Sequence, residues 1–358
     1  MSTSPHHDKD CTDDLAAQVA AAFEAATPLA ICGAGTKSFL GEQPDIDQRL
    51  DLTAHRGIVS YEPGELVLTV RAGTPLTDIE AALDNAGQSL AFEPPHFGEG
   101  ATIGGTIATN LSGPARPFTG AARDFVLGTR IINGRGEPLR FGGEVMKNVA
   151  GYDVSRLMAG AFGTLGVLLE VSLKVLPVPR SSQTRVFEHD QTTALRQFSQ
   201  WGLKPWPITA ATWVDGRTYL RLAGASSSVA AAATALGGDA LSEDAVFWRD
   251  IREQQHAFFN TDTPLWRLSV PPAITSLDLD GQTMIDWGGA LRWLSSPLSE
   301  QQVRECVARH GGHATLYRGD AVSRLHPLPH AMQAVQTRLK ASLDPAGILN
   351  PGRMYAGH

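Results

Sequence analysis

Residues Gly100 to Pro114 read GATIGGTIATNLSGP, a run of small, uncharged side chains with four glycines in it. A core segment carries bulk, and a solvent loop carries Asp, Lys or Pro. A run with neither offers its backbone as the working surface, pressed close to something else. Two more glycine-dense stretches, GAGTKSFLG at 33–41 and AGYDVSRLMAGAFGTLG at 150–166, stand beside apolar runs that read as buried strands. Backbone N–H groups in such turns converge on anions, and the missing side chains let a phosphate approach. One turn of this kind is an ordinary tight connection. Three in the first half of a chain favour a large phosphate-bearing cofactor.

The common phosphate motifs do not account for them. Gly33-x-Gly35 follows a strand, and Asp51 stands near the spacing of a ribose-binding acid, as in a Rossmann fingerprint. The third glycine position is Ser38, however, and Gly41 and Pro44 interrupt the place where a long helix would start. Asp51 then reads as a solvated turn residue. Neither a P-loop sequence nor a G-x-S-x-G nucleophile elbow occurs.

Length and charge narrow the class further. A chain of 358 residues exceeds one compact core and predicts two domains. Net charge is −7 with no long basic run, which argues against nucleic acid and anionic lipid as partners. The opening MSTSPHHDKDCTDD is polar and acidic and lacks the apolar region of a signal peptide, and no window reaches a membrane span. Cys11, Cys32 and Cys306 lie far apart with no C-x-x-C. They read as reduced cytosolic thiols, so no iron–sulfur or zinc site is expected.

Residues 1–14 are expected to be a disordered polar tail. A helix follows, with Leu15, Val19, Ala22 and Phe23 on one face. Leu29 to Cys32 reads as a short strand and ELVLTVRAG as another. TPLTDIEAALDNAG reads as a helix capped by Thr74, entered through Pro75 and closed by Gly87. FVLGTRIINGRGEPLRF reads as a hairpin, and the strand after Gly166 stops at Pro177 and Pro179, which places a boundary near residue 180. The stretch 181–335 mixes strands and helices, with a hairpin at Asp215-Gly216 and helices in SSSVAAAATALGG and SEQQVRECVARHGG.

The order Gly33-Ala34-Gly35-Thr36, Pro94-Pro95, ATIGGTIATNLSGP and KNVAGYDVSRLMAGAFGTLGVLLEVSLKVLP resembles the FAD-linked oxidoreductases of the vanillyl-alcohol oxidase (PCMH) type. LDPAGILNPGRMY at 343–355 is like their closing motif. The likeness covers 28–180 and the tail, and 148–179 is especially similar to the FAD-binding subunits of bacterial glycolate oxidases. It implies an α+β protein: a two-lobed FAD domain at 15–180, a smaller α+β cap at 181–335, and a segment at 336–358 that returns to the FAD domain. By the same resemblance Gly33, Ala34, Gly35, Thr36 and Lys37 would cradle the pyrophosphate, and Pro94 and Pro95 would wall the flavin. Thr102, Gly104, Gly105, Thr109 and Asn110 would follow the pyrophosphate and ribityl chain. Gly163, Thr164, Gly166 and Val167 would approach the adenine, and Asn350 and Arg353 the isoalloxazine. For Asn350 a plain turn before Pro351 stands as an equal reading. The first loop has no His or Cys after Gly33, which predicts non-covalent FAD; His96, after the Pro-Pro pair, is the one candidate for a covalent link and reads instead as a solvent or substrate-side histidine.

Relatives that oxidise 2-hydroxy acids often carry a His-rich H-x-G-D-G-N-x-H-like signature in the cap, and none occurs here. His310 and His313 straddle a helix end, where a cation is favourable. Arg318, Arg324 and His326 are weak catalytic candidates in a loop; no metal site is expected. The resemblance therefore implies a subunit of a complex oxidising glycolate or D-lactate. Its partners would be a homologous FAD-containing catalytic subunit and an iron–sulfur subunit. It would be cytoplasmic, any membrane contact being made through those partners. A self-sufficient 2-hydroxy acid dehydrogenase and a structural subunit that has lost flavin stand as alternatives.

Overall fold

The computed structural model describes residues 8–143, 153–320 and 323–355. Part of the 150–166 glycine stretch, at 150–152, and the start of the 148–179 similarity lie outside the described residues. The chain divides into two units. The first takes in residues up to Leu111, Ala121–Pro177 and the chain from Pro327 on. The second takes in Ser112–Gly120 and Val178–His326.

The first unit is built on a five-stranded antiparallel sheet, in the order Ile58–Glu62, Val67–Arg71, Val167–Lys174, Val126–Ile132, Pro138–Gly142. Its central strand, VLLEVSLK, is buried along seven of its eight residues, so both faces are covered. A separate parallel pair joins Ala30–Cys32 to Arg49–Asp51. Helices Thr12–Glu24 and Leu76–Asp84 contribute Leu15, Val19, Leu76, Ile79 and Leu83 to one core with these strands.

Two local expectations change. The polar opening is ordered from residue 8: Lys9 bridges Arg56, the Cys11 N–H donates to His55 Nδ1 at 3.0 Å, and a helix begins at Thr12. Thr74 is not the cap of its helix. Its hydroxyl donates to Arg71 O at 2.7 Å and accepts from Gly57 N at 2.9 Å. The helix start is satisfied instead by Ala101 O, which accepts from Leu76 N at 2.7 Å. A tertiary partner has replaced the local cap.

The second unit holds an eight-stranded sheet in the order 239–240, 181–188, 217–224, 208–214, 282–286, 291–295, 265–269, 313–318. The Asp215-Gly216 hairpin is present, with both turn residues at positive φ as that turn requires. Helices Gln191–Gly202 and Ser226–Leu236 cover one apolar cluster, and Glu300–Arg309 packs Val303 and Val307 into another.

Candidate functional site

The small-residue run answers its own puzzle once folded. Thr102 caps a short helix, Ile103–Thr109, its Oγ1 accepting from Gly105 N at 3.2 Å. Gly104 and Gly105 then do different jobs. A Cβ on Gly104 would meet Ala72 Cβ and O at 2.8 Å, so its missing side chain lets the helix lie on the strand end at Ala72. Gly105 faces a cleft, where an added Cβ would meet only Thr102 Oγ1, at 3.4 Å.

That cleft lies wholly within the first unit, as two cavities of about 320 and 70 Å³ that share a wall. The shared wall includes Ile31, Cys32, Gly33, Thr102, Gly105, Ala108, Phe162 and Asn350. The larger cavity adds Ala34, Gly35, Thr36, Lys37, Thr109 and Arg353 from the predicted residues; the smaller adds Gly104, Gly163 and Gly166. The loop Gly33–Ser38 stands so close to the helix that a Cβ on Gly33 would reach Thr102 Oγ1 at 2.7 Å. Gly35 holds φ +78° with nothing within 4 Å of an added Cβ, so backbone lies bare on the cleft side.

Pro94, Pro95, Asn110, Thr164 and Val167 line neither cavity. Both prolines are buried. Asn110 ends the short helix in the left-handed region at φ 52°, and its Oδ1 accepts from Arg123 N at 3.0 Å. Thr164 donates to Ala161 O at 2.7 Å, and Val167 opens the central strand.

The C-terminal return closes the cleft. Asn350 donates its backbone N–H to Leu29 O at 3.0 Å, accepts from Ile31 N at 2.7 Å and donates Nδ2–H to Phe162 O at 2.7 Å. Its side chain clamps two walls together at φ +44°, which is more than a plain turn before Pro351. Arg353 donates to Glu42 O and Ser38 O, both at 2.6 Å, and so shapes the loop beyond Lys37. Beneath them Lys340, buried, donates to Thr164 O, Leu349 O and the Asp344 carboxylate at 2.6–2.7 Å.

Two cations line the larger cavity. Lys37 is buried, its Nζ 3.2 Å from His96 O and 5.8 Å from the Phe97 ring, and Arg49 joins it on the lining of the larger cavity. His96 Nε2 pairs with Glu80 Oε1 at 3.0 Å, and its ring lines neither cavity. Sequence reasoning missed Arg49 and the apolar walls Ile31, Ala108 and Phe162. No motif marks Arg49; its place follows from the parallel pairing of Arg49–Asp51 with Ala30–Cys32. Cys32 also lines both cavities, with Sγ 3.6 Å from Leu50 O.

An elongated group with a diphosphate and flat apolar ends fits this lining. Bare backbone and two cations are the donors a diphosphate calls for, and Ile31, Ala108 and Phe162 are the apolar surface that ring systems call for. The weak catalytic candidates lie in the second unit, where Arg318 and His326 make side-chain hydrogen bonds within it. Arg318 donates to Phe259 O at 3.1 Å and Gln254 Oε1 at 2.7 Å. Arg324 O accepts from Leu316 N, and His326 Nδ1 accepts from Ala314 N at 3.4 Å. Among the described residues no group of three His, Cys, Asp or Glu side chains is placed to hold a metal ion, and no helix is long and apolar enough to cross a membrane.

A family model described as an FAD binding domain matches residues 10–142. Glycolate oxidase subunit GlcE of Escherichia coli (strain K12) is 50% identical over 348 residues, 97% of this chain and 98% of that protein. D-lactate dehydrogenase of Anaerostipes hadrus is 33% identical over 172 residues, 48% of this chain and 36% of its own. Glycolate oxidase subunit GlcD of Bacillus subtilis (strain 168) is 31% identical over 188 residues, 52% of this chain and 40% of its own. A solved alkyldihydroxyacetonephosphate synthase shares the fold, with a TM-score of 0.66 at 15% identity over 95% of this chain and 75% of that one.

Proposed function

The chain belongs to the glycolate oxidase E-subunit family of FAD-linked oxidoreductases, and from that premise we propose that it is the FAD-binding subunit of a multi-subunit complex oxidising glycolate or D-lactate. The observation that carries the reading is a relation over 97% of the chain, joined to a cleft whose lining suits FAD. When bound, FAD supplies a two-electron acceptor that can release electrons onward. The chain's own residues hold and shield it. The Gly33–Lys37 backbone and the Lys37 and Arg49 cations neutralise the diphosphate, while Phe162, Ile31 and Ala108 keep water from the rings.

The cofactor is held without a covalent bond. Denaturation in acid then releases all of the flavin into the supernatant, and flavin that stays with the precipitated chain would contradict this. Residues 8–143, 153–320 and 323–355 offer no His-rich cap signature, and Arg318 is committed to Phe259 O and Gln254. Oxidation of the hydroxy acid is therefore assigned to a homologous flavoprotein subunit, with an iron–sulfur subunit receiving electrons.

The test is the visible spectrum of the purified chain, before and after anaerobic glycolate. The flavin band is expected to stay oxidised with the chain alone and to bleach when the partner subunits are added. Bleaching by the chain alone would support self-sufficient oxidation. A colourless chain that takes up no added FAD would overturn the reading altogether.

A further inference from the structure

In the first unit, residues 8–11 lie as a short strap over His55 and Arg71. Lys9 exchanges both backbone hydrogen bonds with Arg56, at 2.9 and 3.2 Å. Asp8 and Asp10 both pair with Arg71, and a Cβ on Gly57 would fall on the Asp8 carboxylate. The Cys11 N–H ends the strap on His55 Nδ1, at 3.0 Å.

His55 is fully buried, and its second nitrogen fixes its tautomer. Nε2 stands 3.1 Å from Leu169 O, a carbonyl that only accepts, so Nε2 carries the hydrogen and Nδ1 offers its lone pair to Cys11. Among the described residues, the charged groups facing the ring are Asp10 from the strap, Arg71 from the strand Val67–Arg71 and Glu170 from the central strand. Each is engaged elsewhere. Asp10 Oδ1 accepts from Thr12 N at 2.9 Å, Asp10 Oδ2 lies 3.5 Å from Arg71, and Glu170 accepts from Arg130 at 2.9 Å. A proton taken from water at Nδ1 occupies the lone pair that Cys11 uses, so two N–H groups come to face each other. The Cys11 bond then breaks. Asp10 Oδ1, 3.7 Å from Nδ1, replaces it only by leaving the helix start at Thr12. Burial lowers the pKa of the ring from 6.5 against the opposing charges of Asp10 and Glu170, so the tied strap favours the neutral form and is weakened as pH falls below 6.5.

The same residues back the cleft. His55 O accepts from Gly73 N and His55 N donates to Leu52 O, both at 2.9 Å, and Leu52 and Ala72 line the smaller cavity. Ala72 N shares Leu169 O with the His55 ring, and Ala72 O accepts from Gly104 N at 2.8 Å. We propose that residues 8–11 form a proton-released strap on the cofactor cleft: neutral His55 ties it down, and protonated His55 frees it and loosens the wall that holds FAD. The link to FAD rests on the functional reading above; the release of the strap does not.

The test uses the full-length chain between pH 7.5 and 5.5. Deuterium exchange of the peptide containing Lys9 and Cys11, corrected for the intrinsic pH dependence of exchange, follows the strap. Titration of the flavin-free chain with FAD, followed by flavin fluorescence, follows the cleft. One proton per chain, taken by an imidazole of pKa 6.5 once the strap is free, allows a loss of up to about tenfold over this interval. Protection and FAD affinity are expected to fall together, severalfold, in the parent and to stay level in His55→Asn. Asp8→Ala alters an exposed side chain that anchors the strap without touching the ring, so the loss moves to higher pH; it carries the test if His55→Asn does not fold. Level protection in the parent, an equal fall in folded His55→Asn, or an unshifted loss in Asp8→Ala would each overturn the strap. FAD affinity that stays level while protection falls would overturn its link to the cleft. A chain that takes up no FAD at any pH contradicts the functional reading instead, and the exchange measurement still decides the strap.

Discussion

Replacing Lys340 by Met removes a cation buried beneath the cleft. Lys340 is 7% exposed in its side chain and its partner Asp344 is 0% exposed, 2.6 Å away. Asp344 also accepts from Ile348 N at 3.1 Å and Leu349 N at 2.8 Å, which fixes the turn that delivers Asn350 to the cleft wall. Burial lowers the Lys340 pKa, while the bond to Asp344 and its charge oppose that shift and favour the ammonium. Breaking a buried pair by removing one partner leaves an uncompensated charge and costs about 3–5 kcal/mol. Two carbonyls, Thr164 O and Leu349 O, also lose a donor. The expected outcome for Lys340→Met is a fall in Tm of roughly 10 °C for the first unit, with flavin released in the same transition. The assay is thermal unfolding followed by circular dichroism and by flavin fluorescence. A double-mutant cycle with Asp344→Asn should recover about 1 kcal/mol or more. Purely additive losses, or a Lys340→Met variant as stable as the parent, would refute the reasoning, because the pair would then carry no coupling.

Two further outcomes follow from single positions. Gly105→Trp puts an indole into the cleft, and the purified variant is expected to retain no flavin while its far-UV spectrum stays unchanged; stoichiometric flavin in that variant would displace the cofactor path from this helix. His55 is fully buried and accepts from Cys11 N while its Nε2–H donates to Leu169 O at 3.1 Å. Burial, only partly opposed by Asp10, lowers its pKa from 6.5, so the unfolded chain takes the proton first. Its contribution is complete above pH 6.5 and is lost as pH falls below that value. Urea midpoints measured from pH 7.5 down to 5 should therefore fall less steeply in His55→Asn than in the parent, and parallel slopes would assign the dependence to other groups.

Much of this protein is written in local patterns. Periodicity and punctuation located the short strand before Gly33, the helix ending near Gly87, the hairpin at Asp215-Gly216 and the helix Glu300–Arg309, because each is specified by neighbours in the chain. The glycines at 33–35 and 104–105 likewise announce a bare backbone, since few other residues leave one. What the glycines do individually is a tertiary matter: Gly104 answers to Ala72 and Gly105 to the open cleft, and nothing in the sequence distinguishes them. The same holds for Thr74, where the hydroxyl reads as a cap but is taken by Gly57 and Arg71, while Ala101 satisfies the helix start. Arg49, Cys32 and Phe162 reach the cleft only through strand pairing and chain return, and Asn350 acts across more than 300 residues on Ile31. Sequence determines elements and turns because their energetics are settled within a few residues. The cleft and the buried Lys340–Asp344 pair beneath it arise from contacts between distant segments, whose desolvation only the assembled structure sets.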